Sequence, residues 1–136
     1  MTSGSDGKDW FEDIEFSDAF CRFVQASIPE SAAAELLLLF HSRPEASFSI
    51  EEAVGKLGPG ISMSDAARYI KLFHARGLLV GNEGLYSYNA QSEEAPLVSV
   101  LARAYTQRPV TLIRIIYALR DSKIQSFADA FKLRKG

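Results

Sequence analysis

Apolar residues recur along the first half of the chain at the spacing of amphipathic helices. Between residues 17 and 29 they lie three or four positions apart, at Phe20, Phe23, Val24 and Ile28. Ser17 is suited to cap the start of this helix and Pro29 to end it. The next segment, ESAAAELLLLFHSR at 30–43, is rich in strong helix formers and apolar on nearly every side. It is therefore predicted to be a buried central helix.

Two shorter helices with N-terminal capping signals follow. Ser49 with Glu52 forms a capping box, in which each side chain satisfies an otherwise unpaired backbone donor of the first turn. Ser62 with Asp65 repeats the pattern after a Gly-Pro-Gly turn, and Gly77 is a natural end for the second helix. The residues between the caps predict a pair of helices joined by a turn.

The second of these helices has two contrasting faces. At 100° per residue the apolar side chains that cluster on its inner side are Ala66, Ile70 and Phe73. The opposite side carries Ser64, Arg68, Lys71 and Ala75, with Asp65 and Leu72 flanking it. We expect the first set to face the core and the second set to face outward.

Two short apolar segments on either side of a Gly/Asn turn after Gly77 predict a β-hairpin. Leu78 to Val80 is the first strand, a Gly-Asn-Glu-Gly turn follows, and Leu85 to Tyr88 is the second strand. Further helices are predicted beyond it, the first with Pro96 in its first turn. The apolar positions assigned to their inner faces are Leu97, Leu101, Tyr105, Val110, Ile113, Ile116, Tyr117, Ile124, Phe127, Ala128 and Phe131.

The order helix, extended stretch, capped helix, turn, capped helix, Arg-Gly-Leu and hairpin resembles the winged helix-turn-helix of bacterial transcription regulators, including the MarR-like group. The resemblance covers about residues 30–90, and its most specific part is YIKLFHARGLLV. It implies a mostly α fold with a small β-hairpin wing (α+β) and additional N- and C-terminal helices. It also implies that the helix at 62–76 is the recognition helix of a DNA-binding transcription regulator. The candidate contacts on that helix are Ser64, Arg68 and Lys71.

Tyr69 and Leu72 support a different interpretation of the same scaffold. A leucine beside a water-facing surface is unusual unless something covers it. Packing within the chain is one cover, and a protein partner that contacts Tyr69 and Leu72 is the other. A partner of this kind would make the chain a protein–protein interaction module without DNA binding.

Charge is distributed unevenly over the 136 residues, whose formal net charge is −2. Residues 1–18 carry six acidic side chains against one lysine, and residues 19–99 carry nine acidic and six basic side chains. Residues 100–136 carry eight basic and two acidic side chains. Because phosphate contacts supply most non-specific DNA affinity, the basic C-terminal segment matters for a DNA-binding function. The predicted wing tip, by contrast, carries Glu83, which phosphate would repel.

The C-terminal bases have two interpretations that the sequence leaves open. Arg103, Arg114, Arg120, Lys132, Arg134 and Lys135 extend a phosphate-binding surface, with Arg134 and Lys135 taken as further DNA contacts. Alternatively they form the polar face of helices whose apolar faces pair two subunits. In the regulators that the chain resembles, helices outside the winged core commonly pair subunits, so we expect a homodimer.

Residues typical of catalysis are few. The chain has two histidines, His41 and His74, and a single cysteine, Cys21, with no spacing typical of a metal site. We therefore expect no enzyme, metal or cofactor, although aromatic residues leave room for a small-molecule effector. No apolar run is long enough to span a membrane, and the N-terminus lacks the apolar core of a signal peptide. These features predict a cytoplasmic protein.

The predicted organisation has three parts: a flexible acidic tail at 1–9, a winged-helix domain with its N-terminal helix at 10–91, and C-terminal helices at 92–136 that pack on the core and dimerise.

Overall fold

The computed structural model describes residues 16–122, and within that range it contains six α-helices and one two-stranded sheet. The helices are α1 (Asp18–Ser27), α2 (Ser31–Ser42), α3 (Ile50–Leu57), α4 (Met63–Ala75), α5 (Ala95–Gln107) and α6 (Pro109–Ser122). The strands are β1 (Leu79–Asn82) and β2 (Leu85–Tyr88). A mostly helical α+β fold with one small hairpin is therefore confirmed.

Helix α2 is the centre of the fold. Its fully buried residues are Ala33, Ala34, Leu36, Leu37 and Phe40. It contacts α3, α4, α5 and β2, so nearly every side of the helix meets another element. The apolar composition of this segment predicts this position, because a helix without a polar face is stable only when it is surrounded.

The ends of α3 and α4 are fixed by local chemistry. The Ser49 hydroxyl accepts a hydrogen bond from the Glu52 amide at 3.1 Å, and the Glu52 carboxylate accepts one from the Ser49 amide at 2.9 Å. Ser62 caps α4 in the same way through the Asp65 amide. The carboxylate of Asp65 binds Arg68, so the reciprocal half of this predicted capping box is absent from the described hydrogen bonds.

Gly77 ends α4 as predicted. Its φ of 79° lies in the left-handed region that glycine adopts without strain. The Leu78 amide donates to the Phe73 carbonyl and the Gly77 amide to the His74 carbonyl, which is the Schellman pattern of a helix C-terminus. The chain then turns directly into β1.

The hairpin has a tighter turn than the sequence predicts. Strand β1 begins one residue later than expected and extends through Asn82, which pairs with Leu85. Only Glu83 and Gly84 form the turn, both with positive φ, as a two-residue type I′ turn requires.

Strand β2 also pairs with the chain between α2 and α3. The Phe48 amide donates to the Tyr86 carbonyl at 2.8 Å, and the Tyr86 amide donates to the Phe48 carbonyl at 2.9 Å. The extended stretch that separates the two helices is therefore joined edge to edge with the hairpin.

Helices α5 and α6 pack on α1, and α5 also packs on α2. The buried face of α6 consists of Leu112, Ile115, Ile116 and Leu119. The assignment of Val110 to the inner face is wrong, because Val110 is 62% exposed, and Ile113 and Tyr117 are only partly buried. The stripe is rotated because the four apolar residues at 112, 113, 115 and 116 lie so close together that they allow more than one helical face to be chosen.

Several predictions fall outside the described residues. They concern the acidic tail at 1–9, the helix with Ile124, Phe127, Ala128 and Phe131, and the bases Lys132, Arg134 and Lys135. The domain boundaries at 9 and 91 stay predictions.

Candidate nucleic-acid interface

The outer face of α4 carries the predicted polar set. Ser64, Arg68 and Lys71 are exposed, whereas the inner side chains of Ala66, Ile70 and Phe73 are completely buried. The predicted orientation of the helix is therefore confirmed. Arg68 and Lys71 lie three residues apart, which places them one helical turn from each other on the surface.

Arg68 is partly neutralised by its own helix. Its Nη2 lies 2.6 Å from Oδ1 of Asp65, and 63% of its side chain remains exposed. The hydrogen bond to Asp65 raises the pKa of Arg68 above its ordinary value. The guanidinium also lies over the Tyr69 ring, 4.9 Å from the ring centroid. Lys71 has no ion pair with any residue in the range 16–122.

Of the two covers considered for Tyr69, the structure shows packing within the chain. Tyr69 is 2% exposed and packs in the core beside Ile70 and Phe73. Its hydroxyl donates a hydrogen bond to the Glu30 carboxylate, next to the start of α2. Burial, followed by the hydrogen bond to Glu30, raises the pKa of Tyr69 to about 12. Tyr69 therefore offers no surface to a partner, and Leu72 is partly buried.

Three tyrosine hydroxyls converge on the first turns of α2. Besides the hydroxyl of Tyr69, that of Tyr105 donates to Glu35 at 2.9 Å, and that of Tyr117 accepts from the Ser31 amide at 3.3 Å. The last contact caps an amide that the N-cap residue leaves unsatisfied by its side chain. No local pattern in the sequence indicates this cluster, because the partners lie 39 to 86 residues apart.

The guanidinium of Arg120 lies 4.7 Å from the centroid of the Tyr117 ring. The exposed bases of the C-terminal helices and their junction within the described range are Arg103, Arg108, Arg114 and Arg120. The candidates Arg134 and Lys135 lie outside that range.

The hairpin presents a mixed surface. Glu83 is exposed at its tip, and the outward side chains of Val80 and Leu85 are 48% and 47% exposed. On the other face, Tyr86 lies so close to Gly81 that a β-carbon there would stand 2.5 Å from the ring. Gly81 is thus a packing position and does not belong to the turn.

An ion pair joins the end of α4 to the start of α5. Nη2 of Arg76 lies 3.0 and 2.9 Å from the two carboxylate oxygens of Glu94. Both side chains are about 30% exposed. The pair fixes the C-terminal end of α4 against the segment that follows the hairpin.

The residue types associated with catalysis are dispersed. His41 and His74 contact the rings of Tyr88 and Tyr86, with centroids 5.2 and 5.8 Å apart. Cys21 is buried, and burial raises its thiol pKa to about 12, which disfavours the reactive thiolate. Among residues 16–122, no three His, Cys, Asp or Glu side chains form a group that could hold a metal ion.

Comparison with known proteins gives no match to a family model, a curated protein or a solved structure. Within the described range no single helix is long and apolar enough to cross a membrane; α1 and α2 reach that length only as a pair bent by 102°.

Proposed function

We propose that this chain is a winged-helix transcription regulator that binds double-stranded DNA through α4. The observation that carries the proposal is the pairing of Phe48 with Tyr86. It adds a third, minimal strand to the hairpin and completes the order helix, strand, helix, helix, strand, wing, strand. In such a scaffold the second helix of the capped pair is presented to the major groove.

The outer face of α4 supports this function. Arg68 and Lys71 are of a length and charge to reach phosphates or guanine edges, and the Ser64 hydroxyl near the helix start can bind a phosphate. Helix α4 is held in place from several sides, because Tyr69 fixes it to Glu30 and Arg76 fixes its end to Glu94. A rigidly held helix with an exposed cationic face is the requirement for groove recognition.

The proposed regulator is a cytoplasmic homodimer. On α6, Val110 is 62% exposed and Ile113 is partly buried, which leaves apolar surface for a second copy. Two copies related by a twofold axis would present two α4 helices about one DNA turn apart. Sedimentation equilibrium of the wild type and of Val110→Asp tests the pairing, with dissociation expected for the variant.

A mobility-shift titration at low salt tests the DNA contact. The wild type is expected to retard duplex DNA, and Arg68→Ala and Lys71→Ala are each expected to weaken the complex. Arg22→Ala, which removes an exposed base from α1, is the matched control and is expected to bind as the wild type does. Absence of binding by the wild type at low salt would contradict the proposal.

The second candidate function is a winged-helix module that binds a protein. The observation in its favour is the outward face of the hairpin, where Val80 and Leu85 are each nearly half exposed beside the acidic Glu83. Apolar side chains grouped at a surface are typical of protein contacts. Co-purification of one defined protein that is lost in Val80→Asp and retained in Arg68→Ala, with no DNA binding, would favour this function.

A further inference from the structure

We propose that Met63 contacts the 5-methyl group of thymine in the duplex bound by α4, so that the regulator selects DNA with thymine at the contacted position. The inference rests on the proposed function and names a base that the recognition helix selects. Three observations carry it: the exposure of Met63, its direction on the helix, and the distribution of charge around it.

Met63 is an exposed apolar side chain at the start of α4. Its exposed fraction is 46%, and it lies directly before the proposed DNA contact Ser64. A single exposed apolar residue is ordinary on a protein surface and by itself indicates no function. Val80 and Leu85 are exposed on the hairpin and Val110 on α6, whereas Met63 belongs to the helix that is proposed to bind DNA. The position of Met63 is therefore the informative feature.

A ring contact shows which side of α4 Met63 is on. The His74 ring contacts the Tyr86 ring of the hairpin, with centroids 5.8 Å apart. At 100° per residue the directions of Met63 and His74 differ by about 20°, so the two residues lie on the same side, about three turns apart. Ala67 lies between them, about 40° from Met63. These three residues are here called the hairpin flank of α4.

The acidic side chain of α4 points away from the hairpin flank. Asp65 is the only aspartate or glutamate between Met63 and Ala75, and its direction is about 160° from that of Met63. Its carboxylate pairs with Arg68. Lys71, by contrast, is exposed and about 80° from Met63. The hairpin flank therefore borders a cation and no carboxylate of its own helix, which favours a polyanion as its occupant.

The chemistry of Met63 matches one group in the major groove. The N-terminal residues of a recognition helix contact base edges, and the C5-methyl of thymine is the apolar group displayed there. Methionine is unbranched and adapts its shape to such a contact, and its thioether is only a weak hydrogen-bond acceptor. The small side chains of Ser64 and Ala67 leave space on both sides of it. Thymine is therefore the base that Met63 fits.

The test replaces thymine by uracil, which lacks the methyl group and keeps every hydrogen-bonding group of the base pair. A duplex of about two helical turns is first selected from a random pool, and each of its thymines is then replaced in turn. Burial of one methyl group corresponds to about a fourfold change in the association constant. Fluorescence anisotropy is expected to show this loss for the wild type at the contacted thymine.

Variants assign the effect to Met63. Met63→Ala is expected to bind the thymine and uracil duplexes equally, and so is Met63→Gln, which keeps the length of the side chain without its apolar end. Leu85→Ala is the matched control, because Leu85 is 47% exposed on the hairpin and the variant is expected to keep the fourfold preference. Circular dichroism confirms that each variant is folded, and either Met63 variant suffices.

The outcomes separate this inference from the proposed function. A wild type that binds DNA without sequence preference, or binds every uracil duplex as tightly as the thymine duplex, would overturn the role of Met63 and leave DNA binding by α4 in place. A fourfold preference retained in the Met63 variants would assign it to another residue and have the same consequence. A wild type that binds no duplex would overturn both proposals.

Discussion

The hydroxyl of Tyr69 donates a hydrogen bond to the carboxylate of Glu30, and this bond joins α4 to the residue that precedes α2. Tyr69 follows directly after Arg68, whose guanidinium lies over its ring. The guanidinium of the exposed Arg68 therefore contacts both the ring of the buried tyrosine and the carboxylate of Asp65.

Removal of this hydroxyl is expected to destabilise the fold modestly. Tyr69→Phe keeps the ring but leaves the partly buried Glu30 without its donor, at a cost of about 1.5 kcal/mol in the free energy of unfolding. Urea denaturation measures the change. Tyr86→Phe is the control, because the Tyr86 hydroxyl has no hydrogen-bond partner among residues 16–122. Equal effects of the two substitutions would contradict the importance of the Tyr69–Glu30 bond.

Burial of Tyr69, followed by its bond to Glu30, makes stability depend on alkaline pH. The pKa of Tyr69 is about 12 in the folded chain, against an ordinary value of 10.0. Below pH 10 the tyrosine is protonated in both the folded and the unfolded state, and its contribution to the free energy of unfolding is complete. Between pH 10 and 12 only the unfolded state loses the proton. The free energy of unfolding therefore falls as pH rises through this interval.

Urea midpoints measured across that interval are expected to fall more steeply for the wild type than for Tyr69→Phe. The urea midpoint of the variant still falls with pH, because burial also raises the pKa of Tyr88 and Tyr105. Parallel curves for the two proteins would show that Tyr69 titrates normally.

Gly81 is expected to tolerate no side chain. A β-carbon would stand 2.5 Å from the Tyr86 ring, so Gly81→Ala must displace that ring or open the hairpin, at about 1–3 kcal/mol. Gly55→Ala is the matched control, since a β-carbon there meets nothing within 4 Å and alanine favours a helix. Thermal denaturation should show a lower Tm for Gly81→Ala and a higher Tm for Gly55→Ala than for the wild type. A neutral Gly81→Ala would mean that Tyr86 moves freely.

Asp65 is expected to weaken DNA binding. Its carboxylate holds Arg68 at 2.6 Å and repels phosphate. Asp65→Asn releases the guanidinium from an exposed ion pair, and we expect up to about fivefold tighter binding to duplex DNA at low salt. Glu51→Gln, an exposed change in the first turn of α3, controls for net charge. An equal gain in both variants would mean that the Arg68–Asp65 pair has no specific effect.

Helix ends and inner faces were predictable because their signals are local. Ser49, Ser62 and Gly77 act on backbone groups within a few residues, and the burial of Ile70 and Phe73 follows from helical periodicity. The closely spaced apolar residues at 112, 113, 115 and 116 in α6 give no such direction, which explains why Val110 was assigned to the wrong face.

Contacts between distant residues were not predictable. Phe48 contributes a single bridge, which is too short to produce a strand pattern. Tyr69 flanks the inner face of α4, and its hydrogen-bond partner Glu30 lies 39 residues away in the chain. Gly81 was assigned to the turn because glycine is common in turns, whereas its pairing with Tyr86 makes it a packing residue.

The central claim is that DNA binds to the outer face of α4, and the salt dependence of the Arg68→Ala/Lys71→Ala double variant tests it most directly. The wild type should show a steep decline of the duplex association constant with salt, and the double variant should lose about two units of the log–log slope. Arg22→Ala should keep the slope of the wild type. A double variant with the wild-type slope, or a wild type without measurable binding at low salt, would contradict the claim.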